Sequence, residues 1–465
     1  MNQEPDFLQN LRTELSNGRR WLDRGIVLAY AALAGLLVVA FTVLSDWTFG
    51  LFEQLYGMNR WVVLVWTPAL TAAIVWVTRR HFPGAGGSGI PQVMAALDPG
   101  LPPGAETRFV SLRLTLAKIG LAATGLLAGL SIGREGPSVQ VAAGVMQHAR
   151  RWLRPDSGMS HHALLVAGGA AGIAAAFNAP LAGVVFAIEE LSRTLESRNS
   201  GLIISAIVLA GLIGVSFFGN VTYFGVIKVP TLGWAAVVPG LLVALVCGLL
   251  GGLFARLLSA SLTGSPDRIS GWRNRYPVRF AAAGGLVIAV IGLVSHGATF
   301  GAGSHAVKQM LAGETDLPSL YVLLKFVATW LAAWCGVPGG IFAPALSIGA
   351  GVGHDIAVLT DPTLSAALIA MGMAAFLAAV TQAPLTAFIS VMEMVDGRSM
   401  VLSLMMAAML ASLLSRMISR PLYATLSAFM VNGAGGVATD AHAAPAVAVP
   451  EASATPSSPP AEGQR

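Results

Sequence analysis

The stretch Gly133-Arg134-Glu135-Gly136-Pro137 places two charges inside sequence that is otherwise apolar. Residues 119–132 before it carry no charge, and a run of small residues follows it. A charge at membrane depth is costly unless it faces protein or water, so it marks a functional site. Glycine permits unusual φ angles and proline suits the first turn of a helix, so we expect a helix to begin here. The free N–H groups at such a helix start attract an anion.

The composition assigns the chain to the membrane. Of its 465 residues, 55% are hydrophobic and 11% are charged, whereas soluble proteins carry about 25% charged residues. Apolar segments recur from residue 21 to residue 430 without a long polar insert, which predicts one all-α membrane domain. The 53 glycines fit closely packed and broken helices.

The charge pattern predicts the orientation of the chain and argues against nucleic acid as a partner. Arg19, Arg20 and Arg24 precede the first apolar segment, so the positive-inside rule places the N-terminus in the cytoplasm. The formal net charge is +5, but the basic residues form no face typical of nucleic-acid binding. Cys247 and Cys335 lie in apolar stretches, where cysteine is more typical of packing than of a disulfide or a metal site.

The apolar segments fall into two length classes. Those long enough, or nearly so, to span a membrane cover residues 25–44, 61–77, 110–132, 202–218, 234–258 and 280–294. Shorter pieces, cut by glycine and proline, cover residues 88–97, 137–149, 163–177, 180–191, 341–353 and 384–395. A piece of that length does not cross a hydrocarbon core of about 30 Å by itself. Broken helices of this kind line cavities in transporters and channels.

Landmarks recur in the same order a little over two hundred residues apart. A glutamate lies nine residues after an Ala-Pro-Leu motif in both halves of the chain, and a lysine lies nineteen residues before a proline in both halves. The paired residues are Glu189 with Glu393 and Lys118 with Lys325. This repetition predicts two homologous halves, residues 25–220 and 233–430, packed in inverted orientation with the site at their interface.

The two ends of the chain differ from the membrane domain. Residues 1–24 are expected to form a short cytoplasmic segment with apolar residues near helical spacing. Residues 431–465 are rich in alanine, proline, serine, threonine and glycine, a composition that predicts a disordered tail.

Four glycine- and proline-rich motifs resemble those of the CLC family of voltage-gated chloride channels and proton–chloride antiporters. They are Gly87-Ser88-Gly89-Ile90-Pro91, Gly133-Arg134-Glu135-Gly136-Pro137, Gly339-Gly340-Ile341-Phe342-Ala343-Pro344 and Pro421-Leu422-Tyr423. The resemblance covers about residues 20–430 and also includes residues 177–183, followed by Glu189 and Glu190. It implies a multi-pass protein of the bacterial inner membrane that forms a homodimer with one pore in each subunit.

Four residues are expected to bind chloride. Chloride has no shape to recognise, so its site needs several neutral donors and a partial positive field. The resemblance places a central chloride between the hydroxyls of Ser88 and Tyr423 and the backbone amides of Ile341 and Phe342. The simpler alternatives are that Ser88 is an ordinary helix N-cap and that Tyr423 is an interfacial aromatic residue.

Glu135 is the residue that the resemblance identifies as the gating glutamate. A carboxylate at an anion site competes with chloride when charged and vacates the site when protonated. The alternative is a salt bridge with Arg134, but adjacent side chains in a turn tend to diverge. Gly133, Arg134, Gly136 and Pro137 then form the turn along the anion path, with Arg134 in a mainly structural role.

Glu190 decides between two mechanisms. The resemblance implies that it passes protons toward Glu135, as in antiporter members of the family, whereas channel members often have a non-acidic residue there. The alternative is a helix-end carboxylate that faces cytoplasmic water with Arg193 as a partner. Proton-coupled chloride exchange is the leading reading, and a passive voltage- or pH-gated chloride channel is its alternative. Glu393 is expected to be structural.

The sequence departs from the family pattern after Pro91. Many members have an acidic residue where this chain has Gln92. Lys118 thereby loses one partner, and it either faces the anion path or titrates low. Fluoride-exporting relatives usually lack the Gly87-Ser88-Gly89 form and the proline at position 137, so chloride is favoured over fluoride.

An intramembrane enzyme is the alternative from another class. It needs a nucleophile with a base or a metal cluster, and the sequence contains neither an HExxH nor a Gly-x-Ser-x-Gly motif. His161 and His162 follow Ser160 in what reads as a solvated polar loop. We therefore expect no enzymatic activity, no cofactor and no metal.

Overall fold

The computed structural model describes residues 18–102, 104–192, 200–219, 222–227, 233–264, 267–314 and 317–442. Within these ranges the chain forms eighteen α-helices and no strand, apart from one isolated bridge between Gly133 and Gly340. Nine helical segments of the described chain are long and apolar enough to cross a membrane. The prediction of an all-α membrane protein is confirmed.

The first eight helices form one half of the molecule. They are α1 (Gly18–Met58), α2 (Val63–His81), α3 (Ile90–Ala96), α4 (Leu112–Leu127), α5 (Glu135–Ala149), α6 (His161–Ala176), α7 (Pro180–Phe186) and α8 (Ser200–Phe218). A π-helical turn, Ala187–Leu191, continues α7. Each of the six predicted spanning segments overlaps an α-helix of the structure.

The remaining ten helices form the other half. They are α9 (Val237–Thr263), α10 (Arg268–Arg275), α11 (Pro277–Val294), α12 (Ser304–Ala312), α13 (Tyr321–Trp334), α14 (Phe342–Leu359), α15 (Ser365–Thr381), α16 (Pro384–Met394), α17 (Val401–Ile418) and α18 (Leu422–His442). Helices α5 and α6 pack together in the first half as α14 and α15 do in the second, and α7 packs against α16 across the halves.

The prediction for residues 341–353 was wrong about length. Helix α14 has 18 residues and runs on to Leu359, so it is long enough to span a membrane. The apolar pattern stops at His354 and Asp355, but the helix continues because each further residue adds a backbone hydrogen bond without a new nucleation step.

The ends of the chain are described only in part. Residues 1–17 of the expected cytoplasmic segment lie outside the described residues, and helix α1 begins at Gly18. Helix α18 continues through residues 431–442, the beginning of the expected tail, because an anchored helix extends more easily than it nucleates. Residues 443–465 lie outside the described part of the chain.

Candidate functional site

Two loops from the two halves meet at the centre of the molecule. The N–H of Gly133 donates to the carbonyl of Gly340, and the N–H of Gly340 donates to the carbonyl of Gly133, each at 2.7 Å. Helix α5 begins two residues after Gly133, and helix α14 begins two residues after Gly340. The free N–H groups of two helix starts therefore converge on one small region.

Glu135 lies between these two helix starts. The residue is 0% exposed, and neither carboxylate oxygen has a hydrogen-bond partner in the described part of the chain. A Cβ atom added at Gly133 would overlap Oε2 of Glu135 and lie 3.3 Å from Cβ of Ala343 in the first turn of α14, so the carboxylate adjoins both helix starts. The carboxylate thus occupies the place where a helix start attracts an anion.

Arg134 points away from its neighbour. Its guanidinium forms an ion pair with Asp46 of α1 and donates to the carbonyl of Thr42 at 3.4 Å. No salt bridge joins Arg134 to Glu135 among the described residues, so the pairing that the sequence left open is not the one observed. Arg134 ties the turn at residues 133–137 to helix α1.

The structure brings Ser88, Ile341 and Tyr423 together around one cavity of about 520 Å³, which we call the Ser88 cavity. Ser88 and Tyr423 both line this cavity, and their buried hydroxyls have no hydrogen-bond partner among the described residues. Tyr423 is 1% exposed, so it is not an interfacial aromatic residue.

Ser88 is not the N-cap of the helix that follows it. Gly89 occupies the cap position of α3, with a φ of +109° that glycine tolerates. The Oε1 atom of Gln92 accepts the N–H of Gly89 at 2.9 Å, and its Nε2 atom donates to the carbonyl of Gly86. Gln92, where many members of the family have an acidic residue, thus holds the loop that contains Ser88.

A second cavity, of about 370 Å³, contains Glu135 and Arg134 in its wall, and we call it the Glu135 cavity. None of the described residues lines both this cavity and the Ser88 cavity. Phe342 lines neither of them, but it borders a narrow space together with Tyr423 and Glu190. The predicted residues thus form a series, with Glu135 at one cavity and Ser88, Ile341 and Tyr423 at the other.

Glu190 lies in the π-helical turn after α7 and is partly buried. Turns of this type are frequent at functional sites. The proposed alternative partner, Arg193, lies outside the described residues.

The glutamates Glu189 and Glu393 form a pair of reciprocal helix caps between the halves. The carboxylate of Glu189 accepts the N–H groups of Leu385 at 3.1 Å and Thr386 at 2.6 Å in the first turn of α16. The carboxylate of Glu393 accepts N–H groups at 3.2 and 2.7 Å in the first turn of α7. Each short helix therefore receives a negative charge at its positive end from the other half. A structural role was expected for Glu393, whereas the reciprocal contact was not predicted.

Two buried lysines form a second symmetric pair. Lys118 Nζ donates to the carbonyls of Ala85 at 2.8 Å and Gly87 at 2.6 Å. Lys325 Nζ donates to the carbonyls of Thr299 at 3.0 Å and Gly301 at 2.8 Å. Both lysines are 0% exposed. Lys118 therefore holds the loop that leads to Ser88. The two expectations for this side chain, a position at the anion path or a low pKa, did not include these carbonyl contacts.

Two other sequence features are located away from this series. His161 and His162 lie in the first turn of helix α6, where Ser160 caps the helix by accepting the N–H of Ala163 at 2.9 Å. The expected polar loop ends one residue before them because that cap starts the helix. Cys247 and Cys335 are both buried and free.

Comparison with known proteins identifies related chains. The sequence profile of the family described as voltage gated chloride channel matches residues 70–416. A protein from Klebsiella pneumoniae (strain 342) named H(+)/Cl(-) exchange transporter ClcA is 32% identical over 397 residues, which are 80% of this chain and 81% of that protein. A protein of the same name from Salmonella typhimurium is 31% identical over 396 residues, with the same shares covered.

Solved structures share the fold. A slow cyanobacterial Cl⁻/H⁺ antiporter superposes with a TM-score of 0.72 at 23% identity, covering 88% of this chain and 98% of that one. A CLC-type fluoride/proton antiporter superposes with a TM-score of 0.70 at 20% identity, covering 87% and 97% of the two chains. At these identities the likeness concerns the fold alone.

Proposed function

Because the chain belongs to the family of voltage-gated chloride channels, we propose that it exchanges chloride for protons across the membrane. The protein is a multi-pass membrane protein, and its curated relatives are named as transporters that perform this exchange. The observation that carries the proposal is the buried carboxylate of Glu135, which lies without a hydrogen-bond partner between two helix starts.

Glu135 is proposed to act as the gate. When charged, its carboxylate fills the positive region at the starts of α5 and α14 and excludes chloride from it. When protonated, the carboxyl group loses that attraction and leaves, so that chloride takes its place. Binding of one proton by Glu135 thereby allows chloride to occupy the position of the carboxylate. This linkage between proton binding and chloride binding couples the two fluxes.

Chloride is proposed to bind in the Ser88 cavity. Ser88 and Tyr423 supply hydroxyl donors that lack other partners, and Ile341 and Phe342 supply backbone N–H groups at the start of α14. These neutral donors and the helix dipole bind a monovalent anion without the strong charge that would trap it. The Gly87-Ser88-Gly89 form and Pro137 support chloride over fluoride.

Glu190 is proposed to pass protons to and from Glu135. It borders the narrow space that Phe342 and Tyr423 also line, and it does not line the Glu135 cavity. A carboxylate there can take up a proton at one end of the pathway and deliver it toward the gate at the other.

The proposal also includes the oligomeric state and the cellular location of the protein. We infer a homodimer in the bacterial inner membrane with the N-terminus in the cytoplasm. Helix α17 supports this inference because it exposes an apolar face, with Leu402 at 71% and Leu413 at 59% exposure, that lipid or a second subunit can cover.

The decisive experiment places the purified protein in liposomes and imposes a chloride gradient. We expect chloride flux to drive protons uphill in the natural protein. Glu190→Gln should abolish proton movement while chloride flux persists, and Glu106→Gln, a glutamate outside the proposed pathway, should change neither. Chloride efflux without proton movement at any pH would establish a passive channel instead, and the absence of chloride flux would exclude both functions.

A further inference from the structure

The Tyr423–Ser88 pair has a counterpart in the other half of the molecule. Tyr223 lies five residues after the end of α8, and Tyr423 lies five residues after the end of α17. Tyr223 and Ser304 both line the Glu135 cavity, as Tyr423 and Ser88 both line the Ser88 cavity. The repeat thus places a phenol and a serine hydroxyl together twice.

The second pair also has a helix start and a buried cation beneath it. Helix α12 begins at Ser304, and Gly303 before it has a φ of +86°. A Cβ atom added at Gly303 would lie 3.1 Å from Cε of Lys325, so the lysine stem packs directly under this helix start. Lys325 donates to the carbonyl of Gly301 in the loop before Ser304, and Lys118 donates to the carbonyl of Gly87 in the loop before Ser88.

Arg134 adds an unused donor to this region. Its Nε atom is buried and has no hydrogen-bond partner among the described residues. The ring of Tyr223 lies 6.0 Å from Cζ of Arg134 and 6.0 Å from Nζ of Lys308. Tyr223, Ser304 and Arg134 all line the Glu135 cavity.

The acidic groups of this cavity do not cancel the positive field at the pair. Asp46 is already paired with Arg134. Glu53 lies at the exposed wall, where its charge interacts with His305. Glu314 is exposed to water, which screens its charge. Glu135, fully buried and unpartnered, is the acid that competes for the same field.

We propose that Tyr223 and Ser304 form a second binding site for a small monovalent anion, with chloride as the ligand, in the Glu135 cavity beside Arg134. This site rests on the proposed chloride transport and extends it, because it would hold chloride on the outer side of the Glu135 gate. Two hydroxyls, the unpartnered Nε of Arg134 and the start of α12 supply the donors, and the nearby Lys308 and Lys325 supply the positive field that such an ion needs.

A transport assay tests the site from each side of the membrane. Chloride uptake by oriented protein in liposomes is measured against the chloride concentration on each side in turn. Tyr223→Phe and Ser304→Ala should each raise the apparent KM for chloride about three- to tenfold on one side, as expected for one lost hydrogen bond, and leave the maximal rate unchanged. Tyr56→Phe is the matched control, since Tyr56 lines the same cavity but packs against Phe300. An equal change on both sides, or none on either, would overturn the proposal.

Anomalous diffraction from crystals grown in bromide separates this proposal from the proposed function. We expect one bromide peak between Ser88 and Tyr423 and a second beside Tyr223 and Ser304, with only the second lost in Tyr223→Phe. A peak at Ser88 alone would refute the second site and leave chloride transport intact. Bromide at neither position, together with no chloride flux, would refute the proposed function itself.

Discussion

The two halves of the molecule share their supporting contacts and differ in the residues at the proposed transport site. Lys118 and Lys325 each hold two loop carbonyls, and Glu189 and Glu393 each cap a short helix of the opposite half. The turns that begin at Gly133 and Gly340 bind each other through identical hydrogen bonds. These contacts stabilise the same backbone in both halves.

The positions of proposed chemistry differ between the halves. In the repeat that pairs Gly133 with Gly340, Glu135 corresponds to Phe342. In the repeat that pairs Glu189 with Glu393, Glu190 corresponds to Met394. At both pairs of positions the titratable group lies in the first half, and the matching residue of the second half is apolar. Under the proposed function, this asymmetry gives protons and chloride different routes through a symmetric scaffold.

The largest effect on proton movement is expected when the titratable group at position 135 is removed. Glu135→Gln keeps the shape of the side chain but cannot titrate, so proton movement should fall below detection while chloride flux persists without pH dependence. Parallel chloride and pH measurements on liposomes check this. Glu314→Gln, at an exposed position of the same cavity, should behave as the natural protein. Proton coupling retained by Glu135→Gln would remove Glu135 from the mechanism.

Variants of the two buried lysines should distinguish an effect on folding stability from an effect on chloride binding. Lys118→Met and Lys325→Met each leave two buried carbonyls without a donor, so each should lower the free energy of unfolding by about 2 kcal/mol or more. Thermal unfolding in detergent measures this loss. Lys118→Met should also raise the apparent KM for chloride at the Ser88 cavity, because the loop before Ser88 loosens. Lys325→Met should not do so on that side, and equal shifts there from both variants would contradict the account.

The reciprocal caps should behave alike. Glu189→Ala and Glu393→Ala each remove two hydrogen bonds and a negative charge from a helix start, so each should lower the free energy of unfolding by about 1 kcal/mol. Unfolding midpoints of the two variants and of Glu189→Gln, which keeps one acceptor, compare the caps directly. A large loss for one glutamate and none for the other would show that the halves are not supported symmetrically.

The smallest effect is expected at the ion pair between Arg134 and Asp46. Asp46 is 65% exposed, so Asp46→Asn should lower the free energy of unfolding by less than about 1 kcal/mol. Arg134→Met should cost more, because the guanidinium also donates to Thr42 and is largely buried. A double-mutant cycle isolates the ion pair, and a coupling energy well above 1 kcal/mol would contradict this ranking.

The structural features that depend on neighbours along the chain were the ones that the sequence could predict. Apolar length indicates six of the nine described helical segments that are long enough to span a membrane, and the glycines and proline around Glu135 indicate the start of α5. The equal spacing from Pro180 to Glu189 and from Pro384 to Glu393 predicts the repeat. The caps could not be predicted, because each joins residues about two hundred positions apart and the spacing does not say which helix a carboxylate faces. The Lys118 contacts could not be predicted either, because a buried lysine can donate to any nearby carbonyl and the sequence does not say which one.

The most direct test of the central claim is the reversal potential of the natural protein at fixed chloride concentrations under an imposed pH gradient. If one carboxylate couples the two ions, the potential at which net current vanishes should shift with the pH gradient, and Glu190→Gln should return it to the value set by chloride alone. A reversal potential that follows chloride and ignores the pH gradient in the natural protein would contradict proton-coupled exchange.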